Sequence, residues 1–196
     1  VVEENNLPSD VSHCKTTFCD PAGNVLFVSA GTKVLNQDFE VMPNGNNLYG
    51  NTSSHYGTMI VARPNRPDEF YLFHSDSWSS NGLTYSIIDR TLDDGNGAVT
   101  VKNQNLGDFG QEAFTCIRHC NMVDFWLVTY DQVEGRYLSW LVTEEGVSDE
   151  PVESAIEQEV KFSYPLTPNA KGDRIMHGHL LMEVDAATGA LTEILD

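Results

Sequence analysis

The chain has 196 residues, two fifths of them apolar, and 11 Lys plus Arg against 29 Asp plus Glu, for a formal charge of −18. That length and apolar content suit a folded domain with a sizeable core rather than a disordered chain. So negative a field repels nucleic acid and anionic lipid, and no run of about 18 apolar residues offers a membrane span. Val1–Asn6 lacks the basic and apolar regions of a signal peptide, so a secreted parent is expected to have lost its signal already, or the chain to be an internal piece.

Short β-rich runs, cut by Gly, Asn, Asp and Pro turns, begin at Thr16–Cys19. The turn Asp20-Pro21-Ala22-Gly23-Asn24 leads to Val25–Ser29, and Gly31 breaks the chain before Lys33–Asn36 and Phe39–Met42. A Gly/Asn-rich loop from Pro43 to Ser54 follows. The second group is predicted at Thr58–Ala62, Phe70–His74, Leu83–Asp89 and Ala98–Asn103. The third is Phe114–His119, Phe125–Tyr130, Tyr137–Thr143 and Val152–Ile156, the last also compatible with a helical turn over Pro151–Gln158. The fourth is Lys161–Leu166, Arg174–Met176, Leu180–Asp185 and Leu191–Leu195. A group of four strands recurring every 45–55 residues or so, roughly one blade length, is the pattern of β-propellers.

Phe125-Trp126-Leu127-Val128-Thr129-Tyr130 is apolar on both faces, as a strand sandwiched between two sheets requires. Tyr71-Leu72-Phe73 and Leu180-Leu181-Met182 read the same way, whereas Leu191 and Ile194 alternate with Thr192 and Glu193 as an outer strand does. The expected fold class is all-β: one β-propeller domain, or partial propeller, over residues 1–196. Its four-stranded blades are expected at 15–42, 57–103, 114–156 and 161–195. Propellers close with about four to eight blades, and an open arc leaves two blade faces in water, so these blades are expected to belong to a larger ring.

Cys14, Cys19, Cys116 and Cys120 form no C-x-x-C, which argues against a zinc ribbon. On one strand Cys116 and Cys120 would sit ~13 Å apart, beyond the roughly 4.4–6.8 Å a disulfide spans. Cys14 and Cys19 meet the same objection. Cross-pairing between the two regions, which would staple neighbouring blades, stands beside buried free thiols as the alternative.

Several short motifs, in order, resemble a known group. They are Asp20-Pro21-Ala22-Gly23-Asn24-Val25-Leu26-Phe27, Met42-Pro43-Asn44-Gly45, Asn51-Thr52-Ser53-Ser54, Gly82–Asp89, Val101-Lys102-Asn103 and Ile117-Arg118-His119. Asp124–Thr129 and Asp185-Ala186-Ala187-Thr188-Gly189-Ala190-Leu191 complete the series. The chain from about Cys14 onward is thereby similar to the N-terminal propeller-like region of large exported Bacteroidetes proteins. Those proteins often end in a gliding-motility-associated or type IX secretion sorting domain. The resemblance implies an extracellular or outer-membrane-associated cell-surface protein exported by the type IX route, with no catalytic residues to carry over. The sorting domain itself does not occur in this sequence.

Three residues are the ligand-binding candidates: Trp78, Arg118 and His119. Trp78, in the polar loop Ser75–Asn81, is suited to stack on a sugar or anchor a partner, or to fold back over a blade edge. Tyr49 and Tyr56, flanking the Asn51 loop, are a weaker form of the same idea. Arg118-His119 ends an inner strand, where the pair either lines a binding mouth or hydrogen-bonds turn carbonyls. His177-Gly178-His179 would put two imidazoles on one strand face without further ligands, so no metal site is expected; His13, His55 and His74 are isolated. Asp93-Asp94-Gly95-Asn96-Gly97 suits a hairpin better than a Ca²⁺ loop, and Glu144-Glu145 with Asp149-Glu150 reads as solvated charge.

No G-x-S-x-G, H-E-x-x-H, P-loop or dinucleotide fingerprint occurs, so neither a catalytic residue nor a cofactor is assigned. The expected function is a non-catalytic extracellular propeller module, a scaffold or an adhesion and ligand-binding surface. Its expected partners are a polysaccharide or surface protein, further domains of the parent chain, or other subunits of a surface assembly. Two alternatives stand beside it: a carbohydrate-active propeller enzyme using channel carboxylates, and a structural segment of a surface assembly.

Overall fold

Every sheet is antiparallel and built from strands consecutive in the chain. The structure, a computed structural model, describes residues 14–76, 81–108, 112–158, 160 and 164–194. Blade 1 comprises β1 (Thr16–Cys19), β2 (Val25–Ser29) and β3 (Val34–Asn36). Blade 2 holds β4 (Thr58–Arg63), β5 (Arg66–Ser75), β6 (Leu83–Asp89) and β7 (Ala98–Gly107). Blade 3 holds β8 (Phe114–Arg118), β9 (Phe125–Asp131), β10 (Arg136–Val142) and β11 (Val152–Ala155). Blade 4 holds β12 (Leu166–Pro168), β13 (Arg174–His177), β14 (Leu180–Val184) and β15 (Leu191–Glu193). In place of the expected larger ring, these four sheets follow one another around a ring as the blades of a four-bladed β-propeller, with a seam between blade 4 and blade 1 that no apolar cluster bridges among the described residues. Helix is confined, among the described residues, to a short 3₁₀ turn at Asp93–Gly95.

Alternate residues of the central strands are buried against opposite neighbours. Phe70 and Leu72 of β5 pack with Phe27 and Val34 of blade 1. Tyr71 and Phe73, one residue out of phase, pack with Leu127, Leu138 and Trp140 of blade 3. Trp126, Val128 and Tyr130 of β9 turn the other way, onto Ile175, Met182 and Val184 of blade 4. A strand's two-residue period sends successive side chains to opposite faces, so burying both faces demands an unbroken apolar run. The first strands of blades 1 and 2 are also joined directly, Thr16 Oγ1 lying 2.8 Å from the Thr58 carbonyl oxygen.

Turns hold the blades in register. In Asp185–Gly189 the Asp185 carboxylate accepts from the Ala187 amide at 2.9 Å, and the Gly189 amide closes on the Asp185 carbonyl at 2.8 Å. Gly189 has φ +75°, and a Cβ there would stand 2.6 Å from the Trp126 ring. That ring lies on the turn and donates its indole N–H to the Ala186 carbonyl at 3.0 Å. Blade 3 is thereby tied to blade 4 outside their apolar contact.

Two further expectations are corrected, and the alternative left open for the cysteines is decided. The run Phe39–Met42 is not a fourth strand of blade 1: it contributes one bridge, Leu35 to Val41. Phe39 is forced to φ 61°, and the Asn36 side chain gathers the amides of Asp38 and Glu40 into a turn. Leu180-Leu181-Met182 is not sandwiched: Leu180 and Met182 are buried, while Leu181 on the other face is half-buried. The four cysteines are free thiols. Cys14 and Cys19 belong to the blade 1 region and Cys116 and Cys120 to blade 3, with blade 2 standing between them, so cross-pairing has no route. The start of the predicted Lys161–Leu166 strand and Leu195 fall outside the described residues.

Leu127, fully buried between blades 2 and 3, sets an expected outcome. Leu127→Ala should cost about 2–5 kcal/mol in urea unfolding. Val133→Ala, at a turn tip where the side chain is 87% exposed, should stay within about 0.5 kcal/mol.

Candidate functional site

Arg118 ends β8 and enters the turn 119–124 with its guanidinium donating to the Met122 carbonyl at 3.1 Å. The same group lies 5.8 Å from the centre of the Phe125 ring. His119 turns inward on that loop: its Nδ1 accepts from the Asn121 amide at 3.1 Å, and its ring sits 5.7 Å from that of Trp126. Both candidates therefore serve the turn. Arg118 also edges a cleft of about 190 Å³ whose lining is Cys116, Ile117, Pro168, Asn169, Ala170, Lys171 and Gly172. That lining is basic and carries no carboxylate, so it holds no acid–base pair for glycoside chemistry. Trp78 lies outside the described residues, as does His13.

The two imidazoles of His177-Gly178-His179 do not share a strand face. Gly178 and His179 form the turn between β13 and β14, while His177 is fully buried with its Nδ1 2.7 Å from the Tyr137 hydroxyl of blade 3. Among the described residues no group of three or more His, Cys, Asp or Glu side chains is placed to hold a metal ion. Asp93-Asp94-Gly95 is a 3₁₀ turn closed by backbone bonds from the Asn96 amide to Asp93 and from the Gly97 amide to Leu92.

A nucleophile-and-base geometry does occur, in the wrong place for chemistry. His74 at the end of β5 has Nε2 3.0 Å from Ser86 Oγ and Nδ1 2.7 Å from Thr84 Oγ1. The Asn103 amide donates to Ser86 Oγ at 3.1 Å. All three side chains have zero exposure, so no substrate reaches them. Their work is to satisfy buried polar groups between β5, β6 and β7.

The end of β5 carries something more useful, a clamped surface loop running from Tyr49 to Gly57. The Tyr49 amide donates to Asn103 Oδ1 at 3.1 Å, and Asn103 Nδ2 returns a bond to the Asn47 carbonyl at 3.0 Å. The Asn51 amide group reaches Asp76 at 3.4 Å, and Gly57 accepts from the Ser75 amide at 2.9 Å. Further in, the Cys14 amide donates to the Thr52 carbonyl at 3.2 Å and the His55 amide to Glu112 at 3.0 Å. Gly31 and Gly50 let the two backbones touch: a Cβ on Gly31 would meet the Asn51 carbonyl oxygen at 2.7 Å. Ser54 is fully buried, yet Tyr49 and Tyr56 stand 44% and 53% exposed. The loop thus displays two aromatic rings on a frame pinned along its length.

Comparison with protein-family models, curated proteins and solved structures finds no match to this chain.

Burial pulls both His74 and His177 from the ordinary 6.5 down to about 4, with backbone contacts from Tyr49 and Tyr164 opposing weakly. The folded protein holds them neutral, so the unfolded chain binds more protons below pH 6.5. Their stabilisation is whole above that pH and is lost as pH falls toward 4. The urea midpoint should therefore drop between about pH 7 and about pH 5, and His177→Phe should make the drop shallower. An equally steep drop in that variant would assign the acid sensitivity to other groups.

Proposed function

We propose that the chain is a non-catalytic β-propeller module of a secreted or cell-surface bacterial protein, binding polysaccharide through the Tyr49–Gly57 loop. The observation that carries this reading is the pair of exposed tyrosines on a loop that the blade ends hold fixed. Loops on a rigid scaffold are where binding residues collect. A phenol ring offers an apolar face to a sugar's C–H face and a hydroxyl to its oxygens, at little cost in side-chain entropy. The charge of −18 disfavours a polyanionic partner and leaves neutral or cationic glycans. The ordered likeness to exported Bacteroidetes proteins supports the surface setting and the type IX route.

Affinity electrophoresis through gels containing laminarin, xylan, mannan or chitosan tests the reading. At least one polysaccharide should retard the protein, and Tyr49→Ala combined with Tyr56→Ala should weaken that retardation about 10-fold or more. The thermal midpoint should be unmoved, because both rings project from the fold. Unretarded wild-type protein in every gel, or retardation indifferent to the double substitution, would overturn the proposal.

A further inference from the structure

One sheet face stands apart from the rest. Blade 2 and blade 3 each bury both faces against a neighbour. Even in blade 1, Val28 and Leu35, which point away from blade 2, are 3% and 0% exposed. Blade 4 differs. Ile175, Leu180, Met182 and Leu191 pack on blade 3, but the alternate residues form an open surface. Cross-strand register sets them in two rows: Thr167, Met176 and Leu181 in one, Arg174, Glu183 and Thr192 in the other. Ile194, whose amide bonds the Leu181 carbonyl at 2.9 Å, extends the first row. Met176 is 47% exposed, and a groove of about 400 Å³ lies over Thr167, Pro168, Asn169, Arg174, Met176 and Leu181. Among the described residues no hydrophobic cluster joins this face to blade 1.

The charge on the face is as informative as its exposure. A chain of charge −18 repels its own copies over most of its surface. Here the charged row holds one cation, Arg174, paired in register with one anion, Glu183. The neighbouring row pairs Met176 with Leu181. A two-fold axis laid between β13 and β14, parallel to both strands, exchanges the members of each pair. Arg174 of one copy then faces Glu183 of the other, twice over, and Met176 faces Leu181. Such a patch is complementary to itself, which is the requirement for an isologous contact.

We propose that the open face of blade 4 docks a second copy of this chain through that two-fold arrangement. A four-strand face about 19 Å across at ~4.8 Å per strand, and about 13 Å long at ~3.3 Å per residue, offers about 250 Å². That falls short of the roughly 800 Å² per partner found in tight complexes. The dimer is therefore weak and concentration-dependent. It uses none of the residues of the Tyr49–Gly57 loop, so its success or failure is independent of glycan binding.

Sedimentation equilibrium on the full chain, from about 10 μM to about 1 mM, reads the outcome in the range expected of a small interface. The wild type should pass from monomer to dimer. Arg174→Glu alone and Glu183→Arg alone should each weaken the dimer about 10-fold or more, by placing like charges opposite one another twice. Combining the two should restore it to within about 3-fold, because the pair is recreated in reverse. Met176→Asp should abolish it. All three positions lie at the surface, and an unchanged near-ultraviolet circular dichroism spectrum confirms the fold. A monomer at every concentration overturns the proposal, as does a dimer that no substitution weakens or that the double reversal fails to restore.

Discussion

Burial of both faces of the central strands is the constraint from which the rest of the structure follows. At β5 the chain must supply Phe70 and Leu72 to one neighbour and Tyr71 and Phe73 to the other within four consecutive residues. The same holds at β9, where Leu127 and Val128 have no exposure and lie in different clusters. Apolar side chains on both faces leave a sheet no solvated side, so its stability depends on the sheets before and after it. The first strands and the turns then need only set angle and register. The Trp126 indole resting on the Asp185–Gly189 turn is one such device.

Polar groups enter that interior under strict terms. His74 and His177 are fully buried near the ends of central strands: the ring nitrogens of His74, one donating and one accepting, meet the Thr84 and Ser86 hydroxyls, and Nδ1 of His177 meets the Tyr137 hydroxyl. Tyr137 binding His177 joins blade 3 to blade 4, so the imidazole serves as a specific inter-blade contact within an otherwise apolar cluster. Such groups are neutral because burial disfavours their charged forms. The molecule keeps most of its negative charge outside, Asp76 and Asp131 being buried exceptions, and relies mainly on uncharged hydrogen-bonding groups inside.

The same frame explains what the surface can present. The Tyr49–Gly57 loop is held by bonds to the end of β5 and to Asn103, parts of a blade already fixed by burial, and to Glu112 in the connection leading to blade 3. A ring displayed on that loop loses little freedom on binding, which is the physical advantage of a propeller as a binding scaffold. Blade 4 shows the converse, an ordered sheet face whose alternate residues Met176 and Leu181 join no apolar cluster among the described residues.

Strand positions were legible because periodicity is local: a run such as Phe125–Tyr130 announces a doubly buried strand in its own residues, and the recurrence of four such runs announces blades. Local reasoning reached less far at Leu180-Leu181-Met182, whose apolar run looks the same as that of β9 although only one of its faces is covered. It also misread Phe39–Met42, where the Asn36 side chain captures the backbone, and the histidines at 177 and 179, which flank a turn. The clamped loop had one signal in the sequence, tyrosines bracketing an Asn/Ser-rich stretch. Its partners at Asp76, Asn103 and Glu112 are distant in sequence. The all-β class, the blade repeat and the charge follow from composition and a two-residue period alone, both of which are local. Which faces meet, which thiols stay apart and which side chains reach water were decided by tertiary structure, since each depends on packing between residues tens of positions apart.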